Sequence, residues 1–317
     1  MATGTDRSTS SRIELARERL QPIGIGLQRT WSQFTESPVG LVGLALLVTI
    51  ILMAVFAPYV APHGPEWQAY GENPSFSEIG QHPHPPAFGE PFFAPLGTDS
   101  LGRDVLSRVI YGSRTALYIG LAAGILSSLV GVPLGVISGY YGDTWIDESI
   151  QRVVDVMYGL PFLPLVVVLV AINGVTTTNI IIAIVLKSWL NNTIVIRGQV
   201  LSLSERPFVE AARASGASDL RIMGKHIVPN ILPLGFIYLA QDAAFAILTQ
   251  ASLAFLGFAD FTAVSWGTML QWIRVEGYVY TAPWWLIPPG VMIALLAASF
   301  YFVGYSLEDV MNPGGEQ

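Results

Sequence analysis

Six stretches of the chain are apolar for long enough to cross a bilayer, and polar segments of very different character separate them. A transmembrane helix needs about 20 mostly apolar residues. Val39 to Val60 and Ala116 to Ser138 carry no charge at all. Val156 to Ile172 and Trp285 to Leu307 are also uncharged, Ile180 to Ile196 is interrupted only by Lys187, and Ile231 to Phe258 only by Asp242. With their flanks, the predicted spans are 39–60, 115–138, 152–173, 178–198, 231–258 and 285–307. The pattern predicts an all-α membrane protein with six transmembrane helices. The first run is too long, and starts too far along the chain, for a cleaved signal peptide, so it reads as an uncleaved signal anchor.

Composition agrees. Apolar residues make up 52% of the 317 and charged residues 12%, about half the share in an ordinary soluble domain. Mean hydropathy is +0.51. The absence of cysteine excludes disulfides, thiolate metal sites and cysteine nucleophiles. A net charge of −7 argues against nucleic acid as a partner. No span contains histidine, and no H-E-x-x-H is present, so the chain is expected not to be an enzyme.

Lysine and arginine near the spans set the orientation. Segment 1–38 carries Arg7, Arg12, Arg17, Arg19 and Arg29; segment 199–230 carries Arg206, Arg213, Arg221 and Lys225. Both are predicted to be cytoplasmic, as is the tail 308–317, while 61–114 and 259–284 are predicted to be external. Within 1–38, Ile13, Leu15, Ala16 and Leu20 alternate with charges and read as a helix lying on the membrane surface. Eight prolines between Pro62 and Pro95 predict an irregular, solvated loop. Its His82-Pro83-His84 lacks the fixed spacing of a metal site. Gly97 to Asp104 has two glycines four residues apart, but Arg103 and Asp104 stand where a phosphate loop needs lysine and serine or threonine. Thr98 or Asp99 instead reads as the cap of a helix placing Leu101, Val105, Leu106, Val109 and Ile110 along the membrane surface. Asp99 and Asp104 each precede an arginine, Arg103 and Arg108, by four residues, the favourable order for helical ion pairs.

Segment 199–230 holds the most information. Pro207 suits a first helical turn. Gly216 is placed to end that helix. Ser218 or Asp219 caps a second one, and Pro229 and Pro233 mark the entry into span five. Small residues Ala211, Ala212, Ala214 and Ser215 let another surface approach. The result is a compact basic knob.

Glu210-Ala211-Ala212, three residues and Gly216 resemble the EAA loop of permease subunits of ABC importers. The family pattern continues with nine residues and Ile-x-Leu-Pro. Here Ala217 to Lys225 supplies the nine, His226 and Val228 replace the isoleucine and leucine, and Pro229 fits. Further segments resemble dipeptide and oligopeptide permeases of the "C" type: Leu96 to Asp104, Gly139-Tyr140-Tyr141-Gly142 through Asp147 with Arg152 and Asp155, Arg197 to Val200, Leu248 to Phe258, and Ser265-Trp266-Gly267. The resemblance covers roughly residues 30–312. It implies a type I ABC importer permease fold and a coupling role for Glu210, Ala211, Ala212, Gly216 and Pro229. It also implies a second homologous permease, two ATPase subunits or domains, and an extracellular substrate-binding protein as partners. ATP and Mg are then bound by the partner ATPase, and this chain itself holds no cofactor. Dipeptides or oligopeptides are the expected cargo, with nickel or an oligosaccharide as the alternative. An ion-coupled secondary transporter is the rival from another class.

Lys187 and Asp242 are costly in lipid and are expected to face protein or water. Two readings stay open: an ion pair joining spans four and five, or the lining of a polar path.

Overall fold

The computed structural model describes residues 32–69, 82–89 and 92–311. The amphipathic stretch around Ile13 to Leu20 lies outside them. Helix α1 (Pro38–Val55) is followed by a single turn, α2 (Ala57–Val60), and a small antiparallel hairpin, β1 (Ala87–Gly89) with β2 (Phe92–Ala94). Then come α3 (Val105–Tyr140), α4 (Trp145–Gly159), α5 (Phe162–Asn173) and α6 (Thr177–Ser204). The short α7 (Pro207–Ala214) and α8 (Asp219–Ile222) lead through a π-helical turn, Met223–Ile227, into α9 (Val228–Leu256); α10 (Trp266–Val275) and α11 (Pro283–Met311) finish the fold.

Five segments among the described residues are helical, long and apolar enough to span a membrane, and the α4–α5 pair makes a sixth only if a bent pair counts as one span. The single continuous third span expected over 152–173 is therefore corrected. The chain turns by 88° between α4 and α5. The cause is local. Pro161 has no N–H and drives the residue before it out of the helical region, and Leu160 is extended at φ −79°, ψ 122°.

The separate surface helix expected before span two is also corrected. Asp104, not Thr98 or Asp99, caps the helix by accepting from the Ser107 N–H at 2.9 Å, and α3 then runs unbroken for 36 residues. Val105, Val109 and Ile110 are buried in protein. Asp99 closes the preceding turn instead: it accepts from the Leu101 and Arg103 N–H groups and pairs with Arg103 Nε at 2.6 Å. With Asp104 used as a cap, Arg108 donates to the Pro65 carbonyl. The proline-rich loop, expected to be irregular, contains the β1–β2 hairpin and is tied down by His63 Nε2 against the Phe93 carbonyl and His82 Nδ1 against the Tyr278 hydroxyl.

The core forms around α3. Gly131, Gly135 and Gly139 recur every fourth residue and meet α6; a Cβ on Gly135 would sit 2.7 Å from the Ile196 Cβ. Such stripes of small residues let helices approach where burial in lipid supplies little driving force. Gly120 and Gly124 do the same toward Ile247 and Ala243 of α9. At one end, Trp266 lies over Gly112 and donates from Nε1 to the Val109 carbonyl at 2.8 Å. A capping box between Ser265 and Thr268 starts α10 and fixes that tryptophan.

Candidate functional site

Two groups of residues stand out from this frame: the knob between α6 and α9, and a polar groove between the same helices.

The knob is built from caps. Pro207 opens α7 at its first position. At the other end the Ala217 N–H bonds the Ala212 carbonyl and the Gly216 N–H bonds the Arg213 carbonyl, the reciprocal pair of a Schellman motif. Gly216 has φ +78° with open space where a Cβ would lie. Conformation, not crowding, therefore requires glycine there. Ser218 precedes α8 in extended geometry. Pro229 cannot donate to the helical ladder, and the turn ahead of α9 widens to a π-helix, closed by the Val228 N–H on the Met223 carbonyl. Pro233 lies inside α9, so span five is entered earlier than the prolines suggest.

The underside of the knob is apolar. Val209, Ile222 and Ile227 are fully buried against Val136, Ile196 and Val200 at the ends of α3 and α6. Ala212 faces the same cluster, whereas Glu210, Ala211 and Gly216 are exposed. Phe208 and Leu220 are exposed as well. The outer face thus presents small and apolar groups between Glu210, Arg213 and Arg221.

Two polar ties that sequence reasoning did not assemble secure this base. The Asp219 carboxylate accepts from the Tyr140 hydroxyl at 2.7 Å and the Tyr141 hydroxyl at 3.2 Å. Arg213 lies 5.8 Å from the Tyr140 ring. Nearby, Arg197 forks onto both oxygens of Asp147, at 2.7 and 2.6 Å, and Ser138 donates to the same carboxylate. These contacts join α3, α4 and α6 beside the knob. The adjacent tyrosines ending span two were the available signal, but nothing local connects them to a residue 78 positions on.

The groove lies between spans. From α6 it is lined by Lys187, Ser188 and Asn191, and from α9 by Tyr238, Gln241, Asp242 and Phe245. Tyr158 of α4 and Tyr301 of α11 complete a space of about 290 Å³. The structure brings Lys187 and Asp242 to one groove but does not pair them. Salt bridges among the described residues are Arg103–Asp99, Arg152–Glu148 and Arg197–Asp147. The broken third span explains this. It leaves the end of α4 with carbonyls outside the regular helical ladder, Met157's accepting the Leu160 N–H at 3.4 Å, and Lys187 Nζ donates to those of Met157, Tyr158 and Leu160 at 3.1, 3.2 and 3.2 Å. A cation at a helix C-terminus is favourable, and backbone polar groups at membrane depth need partners. Asp242 accepts from Asn192 Nδ2 at 2.6 Å instead.

Multiple packed spans, a broken span beside a polar groove and a capped two-helix knob define a membrane transport component. The chain belongs to the family of binding-protein-dependent transport system inner membrane components, whose model matches residues 131–315. The N-terminal transmembrane domain of oligopeptide transport permease C matches residues 27–83. The dipeptide transport system permease protein DppC of Haemophilus influenzae is 34% identical, over 90% of this chain and 94% of its own length. The oligopeptide transport system permease protein OppC of Bacillus subtilis is also 34% identical, over 89% and 87%. Among solved structures, an inward-facing form of the MetNI methionine ABC transporter superposes with a TM-score of 0.54 at 18% identity, covering 64% of this chain and 96% of that one. The chain therefore has the type I importer permease fold and is a "C" type permease.

Proposed function

We propose that this chain forms half of the translocation path of an ATP-driven importer of dipeptides or oligopeptides. A second homologous permease supplies the other half, an extracellular binding protein delivers cargo, and two ATPase subunits or domains bind ATP and Mg. The observation that carries this reading is the knob: exposed Glu210, Ala211 and Gly216 over a fully buried Val209, Ile222 and Ile227. That is a rigid outer face on an apolar anchor, which is what a lever moved by a partner requires. The peptide cargo rests on relatives whose names state dipeptide or oligopeptide transport.

In this reading both ends of the chain and the knob face the cytoplasm, and the proline-rich loop and α10 face outward. Glu210, Ala211, Ala212, Gly216 and Pro229 form or support the ATPase contact. Lys187 and Asp242 belong to the path, the first by holding its broken span and the second by lining it.

The test is reconstitution of the chain with its partner permease, ATPase and binding protein in proteoliposomes. ATP-dependent uptake of radiolabelled dipeptide is expected only with all components present. Uptake that persists without ATP or without the ATPase would place the chain among secondary transporters.

A further inference from the structure

The groove carries two charges, and their surroundings differ. An ammonium group has three donors and no acceptor. All three of Lys187 are matched by carbonyls, those of Met157, Tyr158 and Leu160, and the Tyr158 ring lies 5.0 Å from Nζ. Nothing is left with which to hold a ligand. A carboxylate offers about four lone-pair sites. Asp242 uses one oxygen, Oδ2, for Asn192, and no cation pairs with it among the described residues. It is 8% exposed and lines the groove. Beside it Ser188 is 6% exposed, lines the same groove, and its Oγ has no partner. Asn192 Oδ1 is likewise buried without a partner.

The groove therefore presents a carboxylate with one oxygen to spare and no ion-pair partner among the described residues, beside a serine hydroxyl without a hydrogen bond. A buried charge without a counter-ion is costly, as is a buried polar atom without a hydrogen bond. A ligand group that relieves both is compact, positive and rich in donors. We infer that Asp242 and Ser188 form a binding site for a primary ammonium group, the α-amino end of the cargo, inside the permease. The inference rests on the peptide reading for the cargo's identity but not for the site's chemistry. The aromatic rings of Phe245 and Tyr301 in the same groove suit a cation. The Asp242–Asn192 bond bridges α9 and α6, so occupancy of the site bears on how those two helices sit together. Both helices adjoin the knob.

The experiment uses the complete transporter in nanodiscs without its binding protein, so that capture upstream does not contribute. The probes are radiolabelled dialanine, N-acetyl-dialanine, and alaninamide, a primary amine that is not a peptide. Wild type is expected to bind dialanine and alaninamide saturably and N-acetyl-dialanine at least about tenfold more weakly. Asp242→Asn, which keeps an acceptor for Asn192, is expected to lose about tenfold for both amines, and Asp242→Glu to recover part of it. Equal binding of the acetylated peptide, unchanged binding by Asp242→Asn, or displacement of alaninamide by sodium or potassium chloride at equal concentration would overturn the site. So would the absence of saturable binding by either amine. Weakened association of the two permeases in Asp242→Asn without any amine binding would mean that the carboxylate meets a cation of the partner chain, and it overturns the site too. If alaninamide binds while no dipeptide is transported in the proteoliposome assay, the peptide reading fails and the ammonium site stands.

Discussion

The knob and the groove lie between the same two helices, α6 and α9, yet they are held in opposite ways. The knob is fixed by neighbours in sequence: a proline at one end of α7, a Schellman pair and a left-handed glycine at the other. Its apolar underside then locks it to α3 and α6. The groove is fixed by partners far apart in the chain. Lys187 reaches carbonyls 27 to 30 positions away, and Asn192 reaches Asp242 across 50. A locally capped element moves as one body. A groove closed by long-range polar bonds can change when one helix shifts. This is the division of labour that coupled transport needs.

The largest effect is expected where a long-range tie supports a break in the backbone. Lys187→Met removes the donor from the Tyr158 and Leu160 carbonyls and the second donor from that of Met157, at a cost of about 1–3 kcal/mol. The purified complex should melt at lower temperature, and Lys187→Arg should restore part of the loss. A melting temperature unchanged by Lys187→Met would mean that the bend between α4 and α5 is held by packing alone.

A smaller effect is expected from the base of the knob. Tyr140→Phe combined with Tyr141→Phe removes both hydroxyls from Asp219 while keeping the rings. Roughly two- to fivefold less uptake per ATP hydrolysed is predicted, with little change in expression. Unaltered stoichiometry would show that the apolar anchor suffices and that the Asp219 tie is incidental to coupling.

Much of this was legible in the sequence, and the reason is physical. Span positions follow from runs of apolar residues, and helix ends follow from proline and glycine. Pro207 and Gly216 therefore stand in the structure where their chemistry put them, and Ser218 holds the N-cap position of α8 without a side-chain bond to it. The errors have one kind of cause. Asp104 competed with Thr98 and Asp99 for the cap, and only the turn closed by Asp99 decided it. Pro161 breaks the helix by its own chemistry, but the 88° turn depends on what donates to the carbonyls at the broken end. That donor is Lys187. Of the two readings open for it, the pair with Asp242 does not form, and Lys187 donates to the carbonyls of the broken helix instead. The Gly131–Gly135–Gly139 stripe was in plain sight as a four-residue repeat and is what lets α3 and α6 approach closely.

The smallest effect expected is an acid-dependent one outside the spans. Asp260 accepts from Thr262 and from the backbone and hydroxyl of Thr177 at the start of α6. Burial pushes its carboxyl up, but these bonds outweigh burial and hold it below the usual carboxylate range. A lowered value stabilises the fold above the unfolded-state value, about 3.9, and the benefit is lost as pH falls through the folded-state value. Melting temperature should therefore drop less steeply below about pH 4 in Asp260→Asn than in wild type. Parallel acid profiles would remove this carboxylate from the account.

In the proposed importer, a rigid knob passes the ATPase's motion to the path. Gly216 tests it most directly, because the position has open space and a positive φ, so substitution changes conformation without creating a clash. Gly216→Asn tolerates the left-handed backbone, whereas Gly216→Val resists it at a cost of about 1–3 kcal/mol. Uptake and ATP hydrolysis are measured together in the reconstituted transporter, with binding-protein capture of the cargo checked separately. Gly216→Asn is expected to stay close to wild type. Gly216→Val is expected to give a protein that inserts and sits beside a cargo-loaded binding protein, yet loses most cargo-stimulated hydrolysis and uptake. Normal coupled uptake in Gly216→Val would contradict that role of the knob.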